Sequence, residues 1–80
     1  MKIHYKDLIL INAMLREHNL RYRVSYQDNE IAGLEPPGAC CRTQEQQEQT
    51  AKLIEEYYQN QHLRVVFSKD FLYYTLQDED

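Results

Sequence analysis

The stretch that decides the fold is Leu63-Arg64-Val65-Val66-Phe67-Ser68-Lys69-Asp70-Phe71-Leu72-Tyr73-Tyr74-Thr75-Leu76. Its β-branched and aromatic residues favour strands on both sides of a three-residue turn at 68–70. We therefore predict a β-hairpin with strands over 63–67 and 71–76. Apolar residues occupy neighbouring positions in both strands, so alternation must place some of them on each face of the sheet.

A second hairpin is predicted earlier in the chain. Leu20, Tyr22, Val24 and Tyr26 alternate with polar residues, which is the pattern of a half-buried strand. A turn at 28–29 allows residues 30–34 to return as the partner strand.

Each hairpin follows a predicted helix. The first helix is expected over 7–19, with Asp7 as its N-cap and Asn19 in the left-handed conformation that ends a helix. The second is expected over 44–61, opened by a capping box of Thr43 and Gln46. The segment 35–39, which contains two prolines, separates the two helix–hairpin units.

The two units resemble each other at a spacing of 43 residues, where Leu20-Arg21 falls on Leu63-Arg64. We predict one α+β domain over 1–77, in αββαββ order, with two helices on one face of an antiparallel sheet; residues 78–80 are expected to form a frayed acidic tail. A ferredoxin-like βαββαβ order with an added strand, in which residues 2–5 form the first strand, is the alternative. The expected inner layer consists of Leu20, Tyr22, Val24, Leu63, Val65 and Phe67 against Ile11, Met14, Leu15, Ile54 and Tyr58.

Composition restricts the class of protein. The chain has 80 residues, of which 42% are hydrophobic and 28% charged, and its formal net charge is −4. These values are typical of a soluble globular domain and argue against a generally basic nucleic-acid binder. No signal peptide is recognisable, and no apolar run approaches the roughly 20 residues of a membrane span. We expect a cytoplasmic protein of bacterial or phage type.

Adjacent cysteines, Cys40 and Cys41, precede the second helix. The positive end of a helix dipole lowers the pKa of a nearby thiol, which makes both candidate reactive thiols. A disulfide between neighbours closes a strained ring, so two reduced thiols that pack in a loop are the simpler interpretation.

No catalytic residues, metal site or cofactor are predicted. His4, His18 and His62 are scattered, and a zinc site requires four ligands at recognisable spacings. No serine or carboxylate has the spacing of a nucleophile–base set. We expect a protein that is not an enzyme.

The strongest functional indication is the face of the sheet turned away from the helices. If Tyr22, Tyr26 and Tyr73 point inward, strict alternation leaves apolar residues beside arginines on this face. A large exposed apolar patch marks a binding surface, and Tyr and Arg are enriched at interface hot spots. The predicted binding surface consists of Arg21, Arg23, Arg64, Val66, Leu72, Tyr74 and Leu76.

We therefore expect a small interaction module, an adaptor or inhibitor, that binds another protein or itself as a homodimer. One alternative is single-stranded nucleic-acid binding through Arg21, Arg23 and Arg64. Another is that the second helix mimics nucleic acid, because four glutamates on it outnumber Lys52.

Overall fold

A computed structural model describes residues 2–38 and 43–78. The elements are α1 (Tyr5–Glu17), β1 (Arg23–Tyr26), β2 (Ile31–Glu35), α2 (Gln44–Gln59), β3 (Leu63–Phe67) and β4 (Tyr73–Asp78). The strands form one antiparallel sheet in the order β1-β2-β4-β3, so that β1 and β3 are its edges. This confirms the predicted αββαββ order. The ferredoxin-like alternative is wrong, because α1 already begins at Tyr5.

The predicted start of α1 is wrong by two residues. His4 is the N-cap, and Asp7 lies inside the first turn with its side chain mostly buried. The Tyr57 hydroxyl donates to Asp7 Oδ1 at 2.6 Å. The carboxylate therefore accepts a hydrogen bond from a side chain of α2, and it does not cap the backbone of α1. The left-handed Asn19 is confirmed, with φ 58°.

The N-terminus of α2 is capped as predicted, because Gln46 N donates to Thr43 Oγ1 at 3.1 Å. The Gln46 side chain connects the two units, since its Oε1 accepts from Arg21 N at 2.9 Å. α2 ends at Gln59, two residues before the predicted end.

The core lies between the helices and the inner face of the sheet. The residues predicted for the inner layer are all buried or half-buried. Tyr58 of α2 and Tyr74 of β4 are both fully enclosed, and their hydroxyls lie 3.0 Å apart, so that one donates to the other. Helix α2 is therefore joined to the sheet by a satisfied polar contact as well as by apolar packing.

The register of the β3–β4 hairpin differs from the prediction. A three-residue turn would pair Phe67 with Phe71, whereas the structure pairs Phe67 with Tyr74 and Val65 with Leu76. Phe71 adopts φ 58° and packs its ring 5.0 Å from that of Phe67. Successive residues of a strand alternate between the two faces of the sheet. The longer connection therefore reverses the parity of β4, that is, which of its residues face the core and which face outward.

Strand β4 also continues through Asp78, which pairs with Leu63. Asp78, which we expected to be the first residue of a frayed tail, therefore lies in a strand. Residues 79–80 lie outside the described part of the chain.

The free edge of β1 is occupied by a side chain of α1. Asn12 Nδ2 donates to the carbonyl oxygen of Val24 at 3.0 Å, and Val24 N donates to Asn12 Oδ1 at 2.8 Å. The amide thus satisfies both main-chain groups that Val24 turns away from β2, in the way that a neighbouring strand would.

Asn12→Ala should lower the free energy of unfolding by about 1–3 kcal/mol, because both main-chain groups of Val24 lose their partner in a partly buried place. Urea denaturation followed by circular dichroism measures this change. Arg16→Ala, an exposed position of the same helix, is the control and should change stability by less than about 0.5 kcal/mol. An equal effect of both variants would contradict the role of Asn12.

The buried tyrosines predict an alkaline limit to stability. Burial raises the pKa of Tyr58 to about 12, and it raises the pKa of Tyr74 still further above its ordinary value. In the unfolded chain both ionise near pH 10. Above that pH the unfolded state binds fewer protons than the folded state, so stability that is complete below pH 10 is lost as pH rises towards 12.

We expect the free energy of unfolding to fall by up to about 1.4 kcal/mol per pH unit for each tyrosine above pH 10. Chemical denaturation at a series of pH values measures the slope. Tyr58→Phe should reduce the slope, because it removes one of the two buried hydroxyls. A stability that stays constant between pH 10 and 11.5 would refute this assignment.

Candidate functional site

The outer face of the sheet carries a shallow groove with a volume of about 480 Å³. We call it the outer groove. Side chains of β2, β3 and β4 form its apolar part, and the β1–β2 turn forms its polar end. Its lining includes Gln27, Asp28, Ile31, Val66, Tyr73 and Thr75.

The register explains why these residues meet. Val66 lies opposite Thr75, and Thr75 lies opposite Ile31, so the three form one row across β3, β4 and β2. Tyr73 is two residues from Thr75 on the same face, beside Gly33 of β2. Val66 is 40% exposed and Tyr73 is 45% exposed, which is high for large apolar side chains in a sheet.

The absence of a side chain at Gly33 leaves room for the Gln27 side chain at the polar end of the groove. A Cβ at this position would lie 2.7 Å from Gln27 Nε2 and 2.8 Å from Ser25 Oγ. Because glycine has no side chain, Gln27 can lie against the backbone of β2. Asp28 beside it is held in the turn, where its Oδ1 accepts from Glu30 N at 2.8 Å.

The β3–β4 connection fixes the position of Tyr73. Ser68 Oγ accepts from Leu72 N at 3.1 Å and from Tyr73 N at 3.0 Å, and the Ser68 hydroxyl donates to Asp70 Oδ1 at 2.7 Å. The hydrogen bonds from Ser68 and from the Leu72 amide lower the pKa of Asp70 below its usual value. The carboxylate is charged at neutral pH, and it accepts hydrogen bonds from the Ser68 hydroxyl and from Leu72 N, which hold the loop in place.

The structure does not bring the whole predicted surface together. Val66 and Arg64 lie on the outer face, and Arg64 Nη2 donates to Gln77 Oε1 at 2.9 Å. The placement of Tyr74 and Leu76 on this face is wrong, because the reversed parity of β4 buries both. Leu72 precedes β4, and it is half-buried in the connection.

The three arginines do not form one cluster. Arg21 and Arg23 lie at or just before β1 and Arg64 lies in β3, at opposite edges of the sheet. Three strand spacings separate these edges, about 14 Å. Arg23 Nη1 donates to the carbonyl oxygens of Leu20 and Tyr22, at 2.8 and 2.6 Å, which directs its guanidinium to the chain's own backbone.

A second apolar patch, which the sequence argument missed, lies on α1. Tyr5 is 67% exposed, Ile9 64% and Leu10 45%, and the ring of Tyr5 stacks on that of Tyr26 at 5.4 Å. The signal was present in the four consecutive apolar residues 8–11. Four successive helical positions span about 300°, so they cannot all face one core.

Other predicted chemistry is not located by the structure. Cys40 and Cys41 lie outside the described residues. Within 2–38 and 43–78, no group of three or more His, Cys, Asp and Glu residues could hold a metal ion. Over the same ranges, neither helix has the length and apolar character that crossing a bilayer requires.

Comparison with known proteins gives no relative: no family model, no curated protein and no solved structure matches this chain.

Proposed function

We propose that this chain is a small non-enzymatic interaction module, a cytoplasmic adaptor or inhibitor of bacterial or phage type, that binds another protein through the outer groove. The observation that carries the proposal is the exposure of Val66 and Tyr73 side by side in an apolar groove of about 480 Å³. These apolar side chains are exposed to water in the free protein. A partner that covers them removes apolar surface from water, which favours binding.

The chemistry of the groove indicates what it would bind. Ile31, Val66 and the Tyr73 ring offer an apolar floor for an aliphatic or aromatic side chain of the partner. Gln27 and Asp28 at one end offer carbonyl and carboxylate oxygens to a hydrogen-bond donor or a cation. The partner segment we expect therefore carries an apolar anchor with a Lys, Arg or amide donor next to it.

The alternatives have less support. Single-stranded nucleic-acid binding would require basic side chains along one path, whereas Arg21 and Arg64 lie at opposite edges and the net charge is −4. Mimicry of nucleic acid by α2 would use its exposed glutamates. Glu45 and Glu48 of this helix accept hydrogen bonds from Gln49 and Gln44, at 3.1 and 3.0 Å, as expected for an ordinary solvated helix face.

The test replaces Ile31 and Tyr73 together by Ser, which removes the apolar floor without adding charge. Wild-type and variant proteins are immobilised, and the proteins that each captures from a bacterial lysate are quantified by mass spectrometry. We expect a partner retained by the wild type to be reduced at least about tenfold on the variant, since loss of two interface anchors typically costs more than 1.4 kcal/mol.

Ile9→Ser is the matched control, because Ile9 is exposed but lies on α1 rather than on the sheet. It should leave capture unchanged. Circular dichroism and thermal unfolding establish that all three proteins are folded. Captured proteins that bind the double variant as well as the wild type, or that are lost only with Ile9→Ser, would refute binding at the outer groove.

A further inference from the structure

We infer that β3 is an assembly edge, at which a second copy of this chain adds its own β3 in antiparallel orientation. Two sheets joined in this way would form one eight-stranded sheet with both outer grooves on the same side. The inference goes beyond the proposed function, because it rests on the main-chain groups at the edge of β3; Val66 and Phe67 of this strand also line the outer groove. Its failure can therefore be separated from failure of groove binding.

The main-chain groups of β3 are directed for such pairing. Ser68 N donates to the carbonyl oxygen of Tyr73 at 2.8 Å, which identifies this pair as hydrogen-bonded. Hydrogen-bonded pairs alternate along an antiparallel ladder, so Val66 and Arg64 also direct their N–H and C=O groups to β4. Val65 and Phe67 consequently turn their main-chain donors and acceptors away from the sheet, towards the open edge.

The two edges of the sheet differ in whether a side chain binds their outward main-chain groups. Val24 of β1 likewise points its N–H and C=O outward, but both are bound by the Asn12 side chain. The residue 43 positions after Asn12 is Glu55, which is exposed. A carboxylate can accept from an N–H group but cannot donate to a carbonyl oxygen, so Glu55 cannot reproduce the Asn12 contact.

Helix α2 leaves the β3 edge accessible. A cavity of about 190 Å³ lies between them, lined by Glu55, Gln59, Leu63, Arg64 and Val65. Among the described residues, no side chain exchanges a hydrogen bond with the main-chain groups of Val65 or Phe67. Strand β3 also contains no proline or lysine, the residues that commonly protect an edge from pairing.

The side chains of β3 are complementary to themselves when the twofold axis passes through Val65. On the inner face, Val65 then meets Val65 of the second copy, and Leu63 meets Phe67 of the second copy. On the outer face, Arg64 lies opposite Val66 of the second copy, so no two like charges are paired. Arg64 is the one cation of the strand, and its stem would cover part of the exposed Val66.

Strand pairing alone buries less surface than a standard interface, so we expect a dimer of micromolar affinity rather than an obligate one. Sedimentation equilibrium between about 10 µM and 1 mM measures it on the full chain. Val65→Pro should abolish the dimer, since proline removes an edge N–H that the monomer does not use and is tolerated in edge strands. Tyr73→Ser should reduce capture by the groove while leaving the dimer intact.

Two further variants keep the test decisive if Val65→Pro fails to fold. Val66→Lys would face Arg64 of the second copy and should weaken the dimer about 3- to 10-fold, whereas Val66→Glu should strengthen it by a similar factor. In the wild type, amide exchange at Val65 and Phe67 should slow as protein concentration rises, while Val66 is protected at all concentrations.

A chain that remains monomeric at 1 mM would overturn the inference. So would a dimer in which Lys and Glu at position 66 act alike, or in which the amides of Val65 and Phe67 exchange at the same rate in monomer and dimer. If Tyr73→Ser loses groove capture but still forms the dimer, the result supports dimerisation at β3 and partner binding at the groove as separate properties, because Tyr73 lies on β4 and away from the edge.

Discussion

The pairing of Phe67 with Tyr74 across the β3–β4 hairpin is the constraint on which the other surfaces depend. It turns Tyr74 inward, where its hydroxyl meets that of Tyr58 and joins α2 to the sheet. It also turns Tyr73 outward, into the same groove as Val66. A slip of one residue would exchange these faces, because side chains alternate with a period of two. The register therefore fixes both a buried polar contact and an exposed apolar groove.

Two similar units produce a sheet whose edges are not equivalent. Asn19 and His62 lie 43 residues apart and both adopt positive φ, at 58° and 60°, where a helix gives way to an edge strand. The units diverge at Asn12 and Glu55, one of which caps its edge while the other does not. The shared positive φ supports two similar structural units, whereas a common ancestry of the two is still a prediction. One side-chain amide is thus enough to block the edge of β1. The edge of β3 has no such side chain among the described residues and is available for pairing.

Much of the fold follows from local sequence signals. Three predicted features have a local cause and are present in the structure: the alternation over 20–26, the turn at 28–29 and the cap formed by Thr43 and Gln46. The parity of β4 could not be read in this way, because it depends on how many residues the connection contains and on Phe71 reaching the core in a left-handed conformation. For the same reason only part of the outer face of the sheet was predicted: Val66 and Arg64 lie on it as expected, whereas Tyr74 and Leu76 are buried.

Nuclear Overhauser contacts between Hα protons test the register most directly, since non-hydrogen-bonded antiparallel pairs bring their Cα atoms closest together. The structure predicts strong contacts between Val65 and Leu76 and between Phe67 and Tyr74. Contacts from Val65 to Tyr73 and from Phe67 to Phe71 would instead establish the three-residue turn. They would place Tyr74 and Leu76 outside and contradict both the buried tyrosine pair and the groove.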